Sequence, residues 1–397
     1  MTVRDVVVAG VGMTAFGKQP DRSLSGLAAE AVGSALEDAG LHGEATDGLG
    51  MVYYANVLSG LLQGQESVRG QHALSRTAVA GIPLVNVENA CASGSTALHQ
   101  AWLSVASGQV DAALAVGVEK LHTDDKAQAL AALTSVLDQE RLPEVLAELG
   151  ATGGGSVFMD FYARAATRYM EQAGASLEDF ARVAVKNSEH GSRNPKAQYS
   201  RQLTVDEVLS ARPVSGPLTV PMCAPMSDGA AAVLVAVPEL ARRWGADGVR
   251  LRAVVVGAGR RGVLGELLPA AALRAFEQAG VGPEDIDLVE CHDAAAPAEL
   301  IVLEELGLCA PGEAVAKLRD GATRIGGELP VNPSGGLQSR GHPLGATGLA
   351  QVVELADQLR GRAGARQAGE PQAGLAENAG GYLGPDAAAA TVTILSR

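Results

Sequence analysis

Aromatic side chains are scarce: Phe, Tyr and Trp together make up 3% of the 397 residues. A core without large rings has to be filled by small aliphatic side chains, with helices and strands in close approach. Basic residues are outnumbered, 31 Lys and Arg against 45 Asp and Glu, for a formal net charge of −14. That balance argues against a nucleic-acid or membrane-surface binder, which needs clustered cations. A few local cations or helix N-termini would still suffice for an anionic ligand. Only four cysteines occur, at 91, 223, 291 and 309, with no CxxC pair and no metal-ligand spacing. So sparse a set in a long chain reads as a reduced, cytoplasmic protein without disulfides or a metal centre. No hydrophobic run approaches membrane-span length. The opening Met1-Thr2-Val3-Arg4-Asp5 enters a short apolar strand at once and lacks the regions of a signal peptide.

What is present is a duplicated pattern. Hydrophobic residues reach 47% and charged ones 19%, enough for a large core, and the length suits two domains or one doubled fold. Residues 6–12 (VVVAGVG) and 253–259 (AVVVGAG) both read as buried strands ending in glycine. Ala-rich amphipathic helices follow at 27–39 and 268–279. Their ends match at an offset of 240: Ala31 with Ala271, Ala35 with Ala275, Gly40 with Gly280, Glu44 with Glu284. Further on, 91–98 (CASGSTAL) aligns with 342–349 (HPLGATGL) at an offset of 251, sharing Gly94/Gly345 and Leu98/Leu349. Each leads to an apolar strand, 111–117 and 387–395. Two β-α-β-α-β units in tandem predict an α/β fold with mainly parallel strands. One half takes 1–118 and 226–248, the other 249–397. The segment 119–225 has no counterpart and reads as an insertion, with helices near 126–149 and 160–174, a glycine cluster (Gly153–Gly155) and a polar stretch from Asn187 to Gln202. Insertions of this kind usually carry specificity rather than core stability.

Cys91 stands in Asn89-Ala90-Cys91-Ala92-Ser93-Gly94-Ser95, after the strand 83–87 and at the start of a helix. There the helix dipole and free backbone N–H groups are expected to lower a thiol pKa and to hold an oxyanion. His342 occupies the matching position of the second repeat. If the halves pack about a pseudo-twofold axis, the two helix starts face each other and pair a nucleophile with a base.

The strings NACASGS, NPSGG (332–336), GHPLGATG (341–348) and MSDGAAA (226–232) resemble the thiolase superfamily over essentially the whole chain. The resemblance implies a duplicated five-layer α/β/α/β/α fold with two mixed, mainly parallel sheets. It implies that Cys91 takes the acyl group of a coenzyme A thioester, that His342 withdraws the thiol proton, and that Gly380 and Cys91 offer backbone N–H groups to an oxyanion. Cys291-His292-Asp293-Ala294 is similar to the His-Asp-Cys-Phe motif of lipid-transfer (sterol-carrier) thiolases, so His292 would polarise the thioester oxygen.

The second thiolase cysteine is missing. One thiolase group places it where this chain has Asn378, the lipid-transfer type where it has Ala294. Acyl transfer survives that loss, whereas α-carbon deprotonation needs another base, a step commonly worth about 10²–10⁴-fold. His342 acting twice, His292, or a water ordered by Asn378 or Asp293 are the candidates. Cys223, Cys291 and Cys309 read as structural, as do Ser334, Gly335 and Gly336 in a turn beside the site. Lys186, Arg193 and Lys196 are possible phosphate ligands, though loop charges are usually just solvated.

The pattern is similar to archaeal acetoacetyl-CoA thiolases and benzoylsuccinyl-CoA-type thiolases, implying a homodimer or dimer of dimers and a small OB-fold, zinc-ribbon acyl-CoA-binding partner. Coenzyme A would be substrate rather than a resident cofactor. The expected activity is thiolytic cleavage of a 3-oxoacyl-CoA or the reverse Claisen condensation. The alternatives are a retro-aldol lyase acting on a β-hydroxyacyl-CoA and a non-catalytic acyl-CoA-binding subunit.

Overall fold

The structure is a computed structural model that describes residues 3–43, 46–151 and 156–397, without the side chain of Lys126. Glu44 of the repeat and the Gly153–Gly155 cluster lie outside the described residues. The first half forms β1 (Val7–Met13), α1 (Leu24–Asp38), β2 (Leu49–Ala55), α2 (Ser59–Gln63), α3 (Arg69–Leu74), β3 (Leu84–Val87), α4 (Ser93–Ala106) and β4 (Ala112–Lys120). The inserted segment adds α5 (Lys126–Thr134), α6 (Leu142–Leu149), α7 (Val157–Ala173), α8 (Leu177–Ser192), α9 (Val205–Ser210), β5 (Pro213–Ser215) and β6 (Leu218–Thr219). Then come β7 (Asp228–Ala236) and α10 (Pro238–Trp244). The second half forms β8 (Val249–Ala258), α11 (Leu267–Ala279), β9 (Leu288–Glu290), α12 (Ala296–Glu305), α13 (Glu313–Arg319), α14 (Gly336–Arg340), α15 (Thr347–Leu359), β10 (Ala373–Gly380) and β11 (Ala389–Ser396).

The predicted repeat is present in three dimensions. Its shared Ala-Gly pair ends both α1 and α11, with Gly40 and Gly280 in the left-handed region at φ 81° and 67°. The strand order β3-β2-β4-β7-β1-β8-β11-β10-β9 reads nearly the same from either end once β1 is matched with β8. A short parallel bridge from Val331 to Val289 stands where β3 stands in the first half.

Three expectations change. The strands hydrogen-bond into one nine-stranded sheet, because β1 and β8 meet through Val7 with Arg250 and Val8 with Val249. The pairing is mixed, as expected, but not mainly parallel: β2–β3, β2–β4 and β9–β10 are parallel, whereas β7 and β11 run against both their neighbours. The strand matching β4 is therefore β10 rather than the 387–395 strand, which matches β7. A strand that returns through a short loop, as β11 does after β10, can only pair antiparallel.

Alternation along the strands sets the layers. In β7, Ala231, Val233 and Val235 join the core that contains Leu98 and Ala101 of α4 and Leu349 and Val353 of α15. Ala230, Ala232 and Leu234 face the outer core built on α1. In the other half, Ala390, Val392 and Ile394 of β11 face an outer core with Ala271 and Ala275 of α11. Helix, strands, helices, strands and helix follow in that order, and α4 and α15 form the shared middle layer.

The insertion does more than line a binding site. α8 opens on a capping box of Ser176 and Asp179, and its Phe180, Ala181 and Val183 are fully buried in the core of the second half. The polar run expected as a loop from Asn187 is helical as far as Ser192. The candidate phosphate ligands have structural partners: Lys186 forms a buried pair with Glu299 at 2.8 Å, Arg193 pairs with Glu189, and Lys196 donates to the Met13 carbonyl.

Candidate active site

The turn before α4 is tight. Ala90 holds φ at 48°, rare for a residue with a side chain, and the N–H groups of Ala92 and Ser93 close back onto the carbonyls of Asn89 and Ala90 at 3.0 Å. The Ser93 hydroxyl donates to the Ala90 carbonyl and accepts the Asn89 N–H. Cys91 is thereby held at the helix start with small neighbours. The second half approaches this turn closely: a Cβ on Gly94 would lie 2.7 Å from the Gly345 carbonyl oxygen. The glycines aligned by the repeat thus approach each other across the pseudo-twofold axis; a Cβ on Gly345 would instead lie 2.9 Å from the Ala55 carbonyl oxygen at the end of β2.

The side chains expected to meet do so. One ligand-type atom each of Cys91, His292 and His342 lies within 4.8 Å of the others, and the imidazole centroids are 5.1 Å apart. Such donors could hold zinc, but zinc-bound histidines are normally backed by a carboxylate, carbonyl or water. Among the described residues no carboxylate or carbonyl is bonded to either ring.

The partner of His342 fixes its proton. The Thr347 hydroxyl donates to the Pro343 carbonyl at 3.0 Å, so its oxygen is left to accept from His342 Nδ1 at 2.8 Å. With the proton on Nδ1, Nε2 carries the lone pair that can receive the Cys91 proton. The His342 backbone N–H donates to Ser227 Oγ in the MSDGAAA string. Burial, then His292 and Arg340, hold the His342 imidazole well below the usual histidine range, and burial lowers His292 to about 4. Both rings are therefore neutral at rest.

Burial works against the expected depression of the thiol pKa. Burial pushes Cys91 up to about 12, with Glu119 adding to the rise, and this outweighs the backbone N–H contribution. The helix start cannot offset the loss of water around a thiolate. At rest Cys91 is a thiol, and to act as a nucleophile it would have to hand its proton over as it attacks. Glu119 also organises this region, accepting the N–H groups of Val57, Leu58 and Gly345 and so tying the two halves together.

Gly380 ends β10 against the nucleophile turn: a Cβ there would sit 2.2 Å from the Asn89 oxygen and 2.7 Å from the Ala92 nitrogen. Asn378 and Asp293, the suggested second-base region, do not border the site cavity. Asn378 bonds Gln351, and Asp293 accepts from Asn187, Leu337 and Gln338. Alternation along β10 turns Glu377 and Ala379 to the cavity instead. Cys291 is buried beside Asn332, while Cys223 lines the cavity, its thiol 3.5 Å from the Thr219 carbonyl. Ser334 bonds Glu290, whose other contact is the buried Arg340, consistent with a structural role for NPSGG.

Cys91, His292, His342, Glu377 and Gly380 open into a cavity of about 1690 Å³. Six of the thirteen aromatic residues line it: Phe158, Phe161, Tyr162, Tyr169, Tyr199 and Tyr382. So do five exposed arginines, 164, 168, 201, 212 and 261. Sequence reading missed both sets, because they come from separate segments whose only common signal is the rarity of aromatics elsewhere.

Models of the thiolase N-terminal domain and of the thiolase C-terminal domain-like family match residues 6–205 and 261–397. An acetyl-CoA acetyltransferase of Methanothermobacter thermautotrophicus is 40% identical over the full length of both chains. The benzoylsuccinyl-CoA thiolase subunit BbsB of Thauera aromatica is 38% identical over 90% of this chain and 89% of its own. A chain of the solved Ltp2-ChsH2(DUF35) aldolase superposes with a TM-score of 0.78 at 26% identity, covering 99% of this chain and 98% of that one. No helix among the described residues is long and apolar enough to cross a membrane. With the motifs, the doubled fold and these full-length likenesses in agreement, the chain belongs to the thiolase family and is an acyltransferase enzyme.

Proposed function

We propose that the protein is an acyl-CoA C-acyltransferase that cleaves a 3-oxoacyl-CoA with coenzyme A, or runs the reverse Claisen condensation, through an acyl-Cys91 intermediate. The observation that carries this is the meeting of Cys91 and His342 within 4.8 Å at two facing helix starts. In condensation the Cys91 sulfur attacks the thioester carbonyl, and His342 Nε2 takes the thiol proton and passes it to the departing coenzyme A thiolate. In thiolysis the sulfur attacks the 3-oxo carbon, His342 again takes the thiol proton, and the shortened acyl-CoA departs as its enolate. The oxyanion is received by the backbone N–H groups of Cys91 and Gly380. His292 Nε2 is buried without a partner, and in its protonated tautomer it would donate to a thioester oxygen.

Coenzyme A is the substrate, and Arg168 and Arg212 suit its phosphates best, because Arg201 and Arg261 pair with carboxylates and Arg164 donates to the Glu148 carbonyl. The cavity exceeds the roughly 300–1,000 Å³ of common ligand pockets, which supports an acyl group larger than acetyl. A homodimer would use the open edge of β3, where Val85 is 43% exposed. An OB-fold, zinc-ribbon partner is supported by the DUF35 component named with the aldolase neighbour. That neighbour also supports a second reading, a retro-aldol lyase acting on a β-hydroxyacyl-CoA without a covalent intermediate.

Intact mass after incubation with acetyl-CoA, acetoacetyl-CoA and a larger 3-oxoacyl-CoA separates the two. An acyl adduct that is lost in Cys91→Ala is the expected result. No adduct with any donor, with or without a partner subunit, would sink the acyl-enzyme reading in favour of the lyase.

A further inference from the structure

The missing second thiol leaves the α-carbon step without its usual base, and the cavity is lined by a buried carboxyl with one oxygen unpartnered among the described residues. Glu377 is fully buried and faces the cavity shared by Cys91, His292, His342 and Gly380. Its Oε2 accepts the His292 backbone N–H at 2.9 Å. Its Oε1 has no partner. A buried carboxylate oxygen without a hydrogen bond is costly, and it persists where a ligand supplies the missing partner. Three residues along β10, Gly380 packs against the Cys91 turn, so the backbone that carries Glu377 is fixed relative to the nucleophile.

We propose that Glu377 is the acid/base of the carbon–carbon step, the role that a second cysteine fills in other thiolases. The proposal rests on the acyl-Cys91 reading. In condensation, the Glu377 carboxylate removes a proton from the α-carbon of the second acyl-CoA. The resulting enolate carbon bonds to the acyl-Cys91 carbonyl carbon. The carbon–sulfur bond to Cys91 breaks, and the proton held by Glu377 returns to the departing thiolate through His342. In thiolysis the protonated carboxyl delivers its proton to the α-carbon as the carbon–carbon bond opens. No oxidant or further reactant is required.

Burial, with Glu305 adding to it, raises the Glu377 carboxyl to about 8, against the lowering effect of the His292 N–H. A carboxyl in that range can both take and give a proton near neutral pH. The other ionisable groups around the cavity suit the role less well. Cys91 is already assigned as the nucleophile, the lowered pKa of both imidazoles makes them weak bases, and burial raises the Tyr162 hydroxyl.

The test is Glu377→Gln, which keeps an oxygen for the His292 N–H while removing the base. In deuterium oxide, mass spectrometry follows deuterium entering the α-carbon of an acyl-CoA, and intact protein mass follows acylation of Cys91. The expected result is acylation within a few-fold of the parent with α-exchange and condensation down about 10²–10⁴-fold. Unchanged exchange would overturn the proposal, as would its loss in Cys223→Ser but not in Glu377→Gln, which would move the role to that thiol. Absence of acylation in the parent protein would instead remove the acyl-enzyme reading on which the proposal stands.

Discussion

Replacing Gly380 with Ala tests how tightly the second half of the chain clamps the nucleophile. The added Cβ would lie 2.2 Å from the Asn89 oxygen, 2.7 Å from the Ala92 nitrogen and 3.0 Å from the Ala92 Cβ. Two of these neighbours are backbone atoms of the Cys91 turn, so no flexible side chain can yield. Reaching ordinary contact requires the end of β10 and the turn to separate by about 1 Å, and a misplacement of that size typically costs about 10²-fold in rate. The shift also moves one expected oxyanion donor relative to the other, and losing a donor costs about 10²–10³-fold. Rapid-quench mass spectrometry of Cys91 acylation should show a fall of at least 10²-fold. The fold should survive, because the clash is confined to one strand end. Acylation at the parent rate, with the folded protein intact, would refute both the close approach and the part assigned to Gly380.

Two further outcomes follow from the same geometry. Thr347→Val removes the acceptor that holds the proton on His342 Nδ1, so acylation should fall at least tenfold with acyl-CoA affinity nearly unchanged, as measured by single-turnover kinetics. The second concerns stability. The folded-state pKa of Glu377, about 8, lies above the value of a free carboxyl, near 4.3, so ionisation opposes folding. Its contribution is most favourable below the free value, drains as pH rises, and levels off above the folded value, a loss of roughly 5 kcal/mol if Glu377 acted alone. Denaturant titrations of Glu377→Gln should therefore lose less stability between pH 5 and 8 than the parent does, and parallel profiles would count against the shift.

Local signals carried far in this chain. The strand-glycine-helix pattern placed β1, α1, β8 and α11 to within a few residues, because hydrophobic period and capping glycine are read from neighbours in sequence. The internal repeat went further, pairing Gly94 with Gly345 and Cys91 with His342, positions that the fold brings into contact or to within a few ångströms. Strand direction was less legible. Nothing local marks β7 and β11 as antiparallel, since the apolar pattern of a buried strand is the same in either direction. The insertion misled for a related reason: Lys186 and Asn187 look like loop polarity until Glu299 and Asp293, over a hundred residues away, are seen to accept their hydrogen bonds.

By itself the sequence determined the doubled α/β scaffold and the positions of Cys91 and His342 at matching points of the repeat, since each is written in a contiguous motif. Tertiary structure decided the ionisation of the site and which side chains face its cavity. The Cys91 pKa depends on how much water the whole fold excludes, which overrides the local helix start. That Glu377 rather than Asn378 lines the cavity depends on which face of β10 meets it, and that follows from its pairing with β9 and β11. The aromatic lining exists only because α7, the segment after α8 and the loop after β10 fold around one space, a convergence that no window of sequence contains.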